Sequence, residues 1–204
     1  MTTYSITSLE AVNRILRVGQ INPVTSTTPP IDRYTALAVA ILEEELVRVL
    51  TFGWYFNTDY NYQLNAVLGQ IAVPADALSI DIEPQNSNGK DIVDRNGYLY
   101  DRTNNTATFT ESYIKATVVR YVTFDNCPLE IQEYIITCAQ LEFASKATVD
   151  QATVYNIEKT KMDRWQALKR ADTTKDSLNT QNRYPINQIA RTWPIIGHES
   201  QEQW

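Results

Sequence analysis

Few residues in this chain are suited to bond chemistry, and their spacing limits what they could do. The one histidine, His198, stands six residues from the end, in a segment with no sign of a pocket around it. A Ser-His-Asp or Cys-His site needs an imidazole held in a fixed orientation, so His198 is a poor candidate. A histidine metal cluster is excluded by count, and Cys127 and Cys138 are not in Cys-x-x-Cys spacing. Eleven residues along one helix would separate those thiols by about 16 Å, beyond the ~7 Å that a disulfide spans, so reduced thiols are expected. Asp81 and Glu83 would share one face of a strand about 6.6 Å apart, a separation that glycosidases use. A solvated strand face is the plainer reading of that pair. Glu43, Glu44 and Glu45 read as an outward helix surface rather than a metal site. Phe52, Trp54, Tyr55, Phe56, Tyr60 and Tyr62 could stack on a sugar, but core at a helix-to-sheet junction explains them more simply. Neither G-x-x-x-x-G-K-[ST] nor G-x-G-x-x-G occurs, so no phosphate-cradling loop is expected.

The elements that must position these residues read as a helix pair, a strand block, a second helix pair and a tail. Thr7-Ser8-Leu9-Glu10 forms a capping box, and Leu9, Val12, Ile15 and Leu16 then share a helical face up to Gly19. A proline-bearing loop follows. Asp32 caps a second helix in which Leu37, Ala38, Ile41, Leu42, Leu46, Val49 and Leu50 keep helical spacing, with Glu43 to Glu45 and Arg48 facing out. From Trp54-Tyr55-Phe56 to Phe124 the period changes to two. Residues 78–82 alternate like a half-buried strand, and Asn96-Gly97 turns a hairpin between Ile92-Val93 and Tyr98-Leu99-Tyr100. Asn104-Asn105 makes another turn before Thr106 to Phe109, and residues 114–122 form a long strand. Pro128 suits the first turn of a third helix, whose face carries Ile131, Ile135, Cys138 and Glu142. A break at 148–150 leads to a fourth helix over about 151–171. Its apolar stripe of Val154, Ile157, Trp165 and Leu168 is thin, and Lys159, Lys161, Arg164, Lys169 and Arg170 suit solvent or an acidic partner.

Composition bounds the rest. At 204 residues the chain suits one large domain or two small ones. The expected architecture is α+β: a helical bundle from 1–53 and 125–171, an inserted antiparallel β region at 54–124, and an extended C-terminal arm at 172–204. Net charge is -6, unevenly spread: residues 1–149 carry 10 Lys/Arg against 17 Asp/Glu, and residues 150–193 carry 8 against 5. Such an acidic chain is ill-suited to gripping nucleic acid, although like-charge repulsion would let DNA slide past it. No apolar run reaches 18 residues, and Met1-Thr2-Thr3-Tyr4 opens no signal peptide, so neither membrane nor export is expected. In the arm, Tyr184, Pro185, Ile186, Ile189, Trp193, Pro194, Ile195 and Ile196 are expected to anchor on a partner, since proline-flanked aromatics suit buried docking contacts.

Several segments then resemble one family in order and spacing. Leu9-Glu10-Ala11-Val12-Asn13-Arg14-Ile15-Leu16 with Gly19 and Pro23-Val24 looks like the opening of the tail tubular protein A family of short-tailed phages. Gly53-Trp54-Tyr55-Phe56-Asn57-Thr58-Asp59 after the second helix, and then residues 69–76, continue the likeness. Asn96-Gly97-Tyr98-Leu99-Tyr100-Asp101-Arg102 resembles the family's LYD hairpin, and residues 124–139 its third-helix entry. Cys127 stands where the family usually has leucine, and the chain after residue 172 does not align. The family motif positions are therefore Gly53, Trp54, Phe56, Asn57, Gly97, Leu99, Tyr100 and Asp101. The resemblance implies a non-enzymatic virion protein with no cofactor, made in the host cytoplasm and located in the tail. It would form a ring of twelve copies joining the portal to the nozzle protein (tail tubular protein B), help seat tail fibres, and surround the DNA ejection channel. Two rival readings are a tail component that binds or hydrolyses host-surface glycan, and a head-completion plug.

Overall fold

A computed structural model describes residues 5–28, 31–83, 85–147 and 149–177. Four helices and six strands make up an α+β fold: α1 (Ser8–Val18), α2 (Arg33–Leu50), β1 (Thr58–Val67), β2 (Gln70–Ile71), β3 (Ala77–Asp81), β4 (Ile92–Arg95), β5 (Tyr98–Asp101), β6 (Tyr113–Arg120), α3 (Leu129–Lys146) and α4 (Gln151–Ser177). The helix starts follow local chemistry. The Thr7 hydroxyl accepts from the Glu10 amide, and one Asp32 carboxylate oxygen takes the amides of Tyr34 and Thr35, filling orphan donors of the first turns. Pro128 sits at the N-cap of α3, one residue outside its expected place, where its missing N–H costs nothing.

α3 is the centre of the helical layer, because α1, α2 and α4 all pack on it. That explains why burial runs around most of its circumference, from Ile131 and Ile135 to Ile136, Ala139 and Phe143. Gln132 is fully buried there, and it is satisfied: its amide donates to the carbonyls of Ile6 (3.0 Å) and Phe124 (2.8 Å) and accepts from the Ile6 amide (2.9 Å). α4 is longer than the sequence suggests and ends at Ser177. Leu168 is its buried anchor, with Val154, Ile157 and Trp165 half-buried beside it. An ion-pair chain stitches α1, α3 and α4: Glu10 to Arg14 (2.5 Å), Arg14 to Glu133 (2.9 Å) and Glu133 to Arg164 (2.6 Å).

The second layer is an antiparallel sheet in the order β2-β1-β6-β3, with the β4–β5 hairpin as a separate two-stranded ribbon. Leu64, Ile71, Ile114, Ala116 and Val118 face one side of the sheet and meet Leu99 and Phe109 in a second hydrophobic cluster, separate from that of the helices. The Asn96-Gly97 turn has positive φ at both residues (56° and 78°), as a two-residue hairpin requires. Leu68-Gly69, between β1 and β2, does the same (53° and 80°), and Leu68 is 99% exposed there.

Four expectations need correction. Trp54-Tyr55-Phe56 does not open a strand; it is a turn, and β1 begins at Thr58. Glu45 does not face out but is 4% exposed, held by an ion pair to Arg48. The stretch from Thr106 to Phe109 interrupts the expected period-two block, with Thr106 making one isolated bridge to Asp101. Cys127 precedes α3, so the cysteines do not share a helix, although both are free and buried. Burial pushes the Cys127 thiol up to about 12 and raises that of Cys138 as well, which keeps both in the unreactive thiol form at neutral pH. A thiol-specific reagent at pH 8 should therefore label neither cysteine in the folded protein and both in denaturant. Fast labelling of either one in the folded chain would contradict this burial.

Candidate functional site

The Gly53 to Asn57 segment forms the joint between the two layers. Gly53 takes φ of +73°, and a Cβ there would lie 3.0 Å from Val119 Cγ2, so both conformation and space call for glycine. Trp54 is buried, and its indole N–H donates to the Val49 carbonyl at the end of α2 (2.8 Å). Its ring meets Trp165 of α4 edge-on at 5.8 Å, and Trp165 in turn lies 5.2 Å from Tyr134 of α3. Asn57, 3% exposed, ties both layers with one side chain. Its Nδ2 donates to the carbonyls of Leu50 in α2 (3.0 Å) and Arg120 in β6 (2.9 Å), while its Oδ1 accepts from the Trp54 amide (2.7 Å).

Around this joint, Arg120 clamps the sheet. Its guanidinium binds Asp59 at 2.5 Å and Asp76 at 2.8 Å and lies over the Tyr62 ring. Those hydrogen bonds, with Asp59 the strongest, hold Arg120 above the usual arginine range. Tyr121 donates its hydroxyl to Glu43 of α2 (2.8 Å), and burial with that carboxylate raises the phenol to about 12. The arrangement is a polar weld, in which Thr58 Oγ1 beside Gly53 is buried without a partner, and it is suited to transmitting position rather than to moving protons.

The other predicted residues fall elsewhere. Phe56 packs against the helical core and edges onto Tyr55 at 5.6 Å, so the aromatics do not assemble into an open stacking platform. Gly97 and Leu99 belong to the β4–β5 hairpin, with Leu99 fully buried and Tyr100 under Arg95 at 3.7 Å. Asp101 caps its own turn, accepting from the amides of Thr103 (2.8 Å) and Asn104 (3.1 Å), and the Asn104 side chain foremost keeps its carboxyl below the usual range. Asp81 lies exposed at the end of β3, and Glu83 is engaged by the Gln85 side chain. An open cleft of about 750 Å³ beside α1 is lined by Leu9, Glu10, Asn13, Arg14, Pro23 and Gln140, without a nucleophile–base pair. Among the described residues no group of three or more His, Cys, Asp or Glu could hold a metal ion, and no helix is long and apolar enough to cross a membrane. His198 and the docking residues Tyr184 to Ile196 lie outside the described residues.

The sequence reading missed the threefold role of Asn57, the Arg120 clamp and the inward Glu45. A signal for the first exists: glycine before a tryptophan with asparagine three residues after it is the spacing of a side-chain-closed turn. Arg120 has no such local signal, because its two carboxylates are 44 and 61 residues away.

These features define a structural class: a two-layer α+β scaffold, welded at one joint. The family to which it belongs is shown directly by sequence. The profile of the tail tubular protein family matches residues 9–178, most of the chain, and the chain belongs to that family. It is therefore a structural protein of the phage tail. No curated protein matches the sequence.

Replacing Asn57 by alanine strands the buried Trp54 amide and removes a donor from the carbonyls of Leu50, which keeps the Gly53 amide, and Arg120, and should cost roughly 2–4 kcal/mol in urea unfolding. A loss under 1 kcal/mol would show that the joint does not depend on this side chain.

Proposed function

We propose that this chain is the A-type member of its family, the adaptor that forms a closed ring between the portal and the nozzle protein. The observation that carries the reading is the family match over residues 9–178, taken with A-type motif segments in order from Leu9 to Ala139. In this reading the helices form one tier of the ring, the β region forms another, and twelve copies surround the channel through which DNA leaves. The chain beyond α4 serves as an arm, with Tyr184 to Ile196 gripping the portal or an adjacent subunit. Tail fibres seat on the outside. Assembly takes place in the host cytoplasm, and the finished ring resides in the virion tail.

The chemistry of the chain supports a conduit. A net charge of -6 repels the phosphate backbone, which suits a passage that DNA must traverse without sticking. A welded two-layer subunit suits a part whose task is to hold position under load. The function asks for no bond chemistry, and the role is non-enzymatic.

Native mass measurement and negative-stain imaging of the purified protein, alone and mixed with portal, test this directly. Open rings forming alone or on portal are the expected result, and they give the copy number. A monomer indifferent to portal would remove the adaptor role. Truncation after Asn182 should leave a folded subunit that no longer binds portal; unchanged binding would remove the gripping role of the arm.

A further inference from the structure

Charge is unevenly spread over the sheet layer. Asp, Glu, Lys and Arg make up 21% of the chain, yet residues 60–75 contain none of them, and neither do residues 103–110. The fold brings these two stretches together at one end of the sheet. Asn65 pairs with Tyr113, the Ala66 amide donates to the Ser112 carbonyl (2.9 Å), and the Phe109 amide donates to the Gly69 carbonyl (2.7 Å). Val67 (71%), Leu68 and Tyr113 (46%) stand exposed there, with Asn65, Gln70 and Thr108 around them. Glu111 and Lys115 border this end, and Glu111 is held by Lys90. A surface poor in charge that carries large apolar and aromatic side chains has the composition of an interface core.

Leu68 sharpens the point. Positive φ at a two-residue turn suits Asn or Gly, yet Leu68 adopts it at 53° with its side chain wholly in solvent. Neither backbone preference nor packing within the subunit calls for leucine at this place. A residue disfavoured by its own fold points to a contact outside it.

A segment of the same chain has matching chemistry. Between Tyr184 and Ile196 the sequence carries Tyr184, Ile186, Ile189, Trp193, Ile195 and Ile196, and its one charge is Arg191. The cleft beside α1 suits that segment less, because Glu10, Arg14 and Arg17 line it and an apolar arm would desolvate them at a cost. Length fits as well. β1 leaves the joint at Thr58 and runs for 10 residues, which puts its turn about 33 Å away at 3.3 Å per residue. α4 meets the joint at Asp172, which accepts from the Tyr55 amide, and ends at Ser177. The chain from residue 178 to residue 196 extends to at most about 65 Å, enough to pass from one joint to the far end of a neighbouring sheet.

We infer that Tyr184 to Ile196 of one copy docks on the uncharged end of the sheet in the next copy, with Leu68 as the central apolar contact. This rests on the ring proposed above and names the surface that the arm grips. Arm and sheet end are unlike surfaces, so the contact is heterologous and runs head to tail until the ring closes.

The test uses the full chain with a benzophenone photocrosslinker in place of Trp193, assembled from a mixture of isotopically light and heavy copies. Crosslinked peptides are read by mass spectrometry. The expected crosslinks run from the arm to residues 65–70 and 108–113 and join light copies to heavy ones. In parallel, V67T/L68N is compared with the wild type by sedimentation velocity over a concentration series. Asparagine suits the turn and threonine the strand, so this variant is expected to melt no lower than the wild type. Its assembly should shift by about tenfold or more to higher concentration. Assembly of V67T/L68N at wild-type concentration, or arm crosslinks that fall on portal or on another face, would overturn the inference while leaving the ring standing. Crosslinks confined to single copies would overturn the neighbour as the owner of the docking surface. Wild-type protein that stays monomeric, alone and with portal, would overturn the ring itself.

Discussion

One buried carboxamide makes two layers into one subunit. The helical cluster and the sheet cluster are distinct; Phe56, Leu78 and Val122 pack on the helical one, and polar contacts fix the joint between the layers: Asn57 to Leu50 and Arg120, Tyr121 to Glu43, and the Tyr55 amide to Asp172 at 3.0 Å. Apolar contact is tolerant of sliding because it has no preferred direction. Hydrogen bonds from one planar side chain to three fixed backbone groups are not, since their strength falls steeply with angle. The joint therefore sets the angle between the layers, and the rest of the subunit inherits it.

The same logic accounts for the polar groups within the helical layer. Gln132 spans from α3 to the segment before α1 and to Phe124, and the Glu10–Arg14–Glu133–Arg164 chain spans three helices. Exposed ion pairs contribute little singly, typically under ~1 kcal/mol. Here they stand half-buried in series, with Arg164 also donating to the Glu133 carbonyl at 2.7 Å, so they fix the register of α4 on α3 where a single buried leucine would leave it loose. A tail part needs that definition, because an error in one subunit's shape is repeated at every position of an assembly.

Much of this was legible in the sequence, for physical reasons that differ by element. Capping by Thr7 and Asp32, the Asn96-Gly97 turn and the apolar faces of α1 and α2 are local chemistry, and the structure bears them out. The end of α4 was misjudged because Asp172, Thr173 and Thr174 look like linker, whereas Thr173 and Thr174 return their hydroxyls to carbonyls one turn back. Glu45 departs from the expectation because its neighbours Glu43 and Glu44 face out, and its burial comes from the packing of α3 on α2. The aromatic run at Trp54 favours a strand by propensity, and only the distant Arg120 carbonyl and α4 reveal what the segment binds. Long-range partners are what periodicity cannot supply.

The insertion of the sheet between α2 and α3 has a kinetic cost. α1 and α2 leave the ribosome early, yet the helix that covers them begins at Leu129. At roughly 5–20 residues per second their apolar faces wait on the order of 5–20 s for that partner. Closing the bundle also means joining Ile6 to Gln132 across 126 residues, a non-local step that disfavours fast folding. During synthesis the first fifty residues are thus a sticky half-bundle, and a host making many copies at once holds these halves at high local concentration. Exchange of α1–α2 between nascent neighbours is the characteristic misassembly that such an order of elements invites.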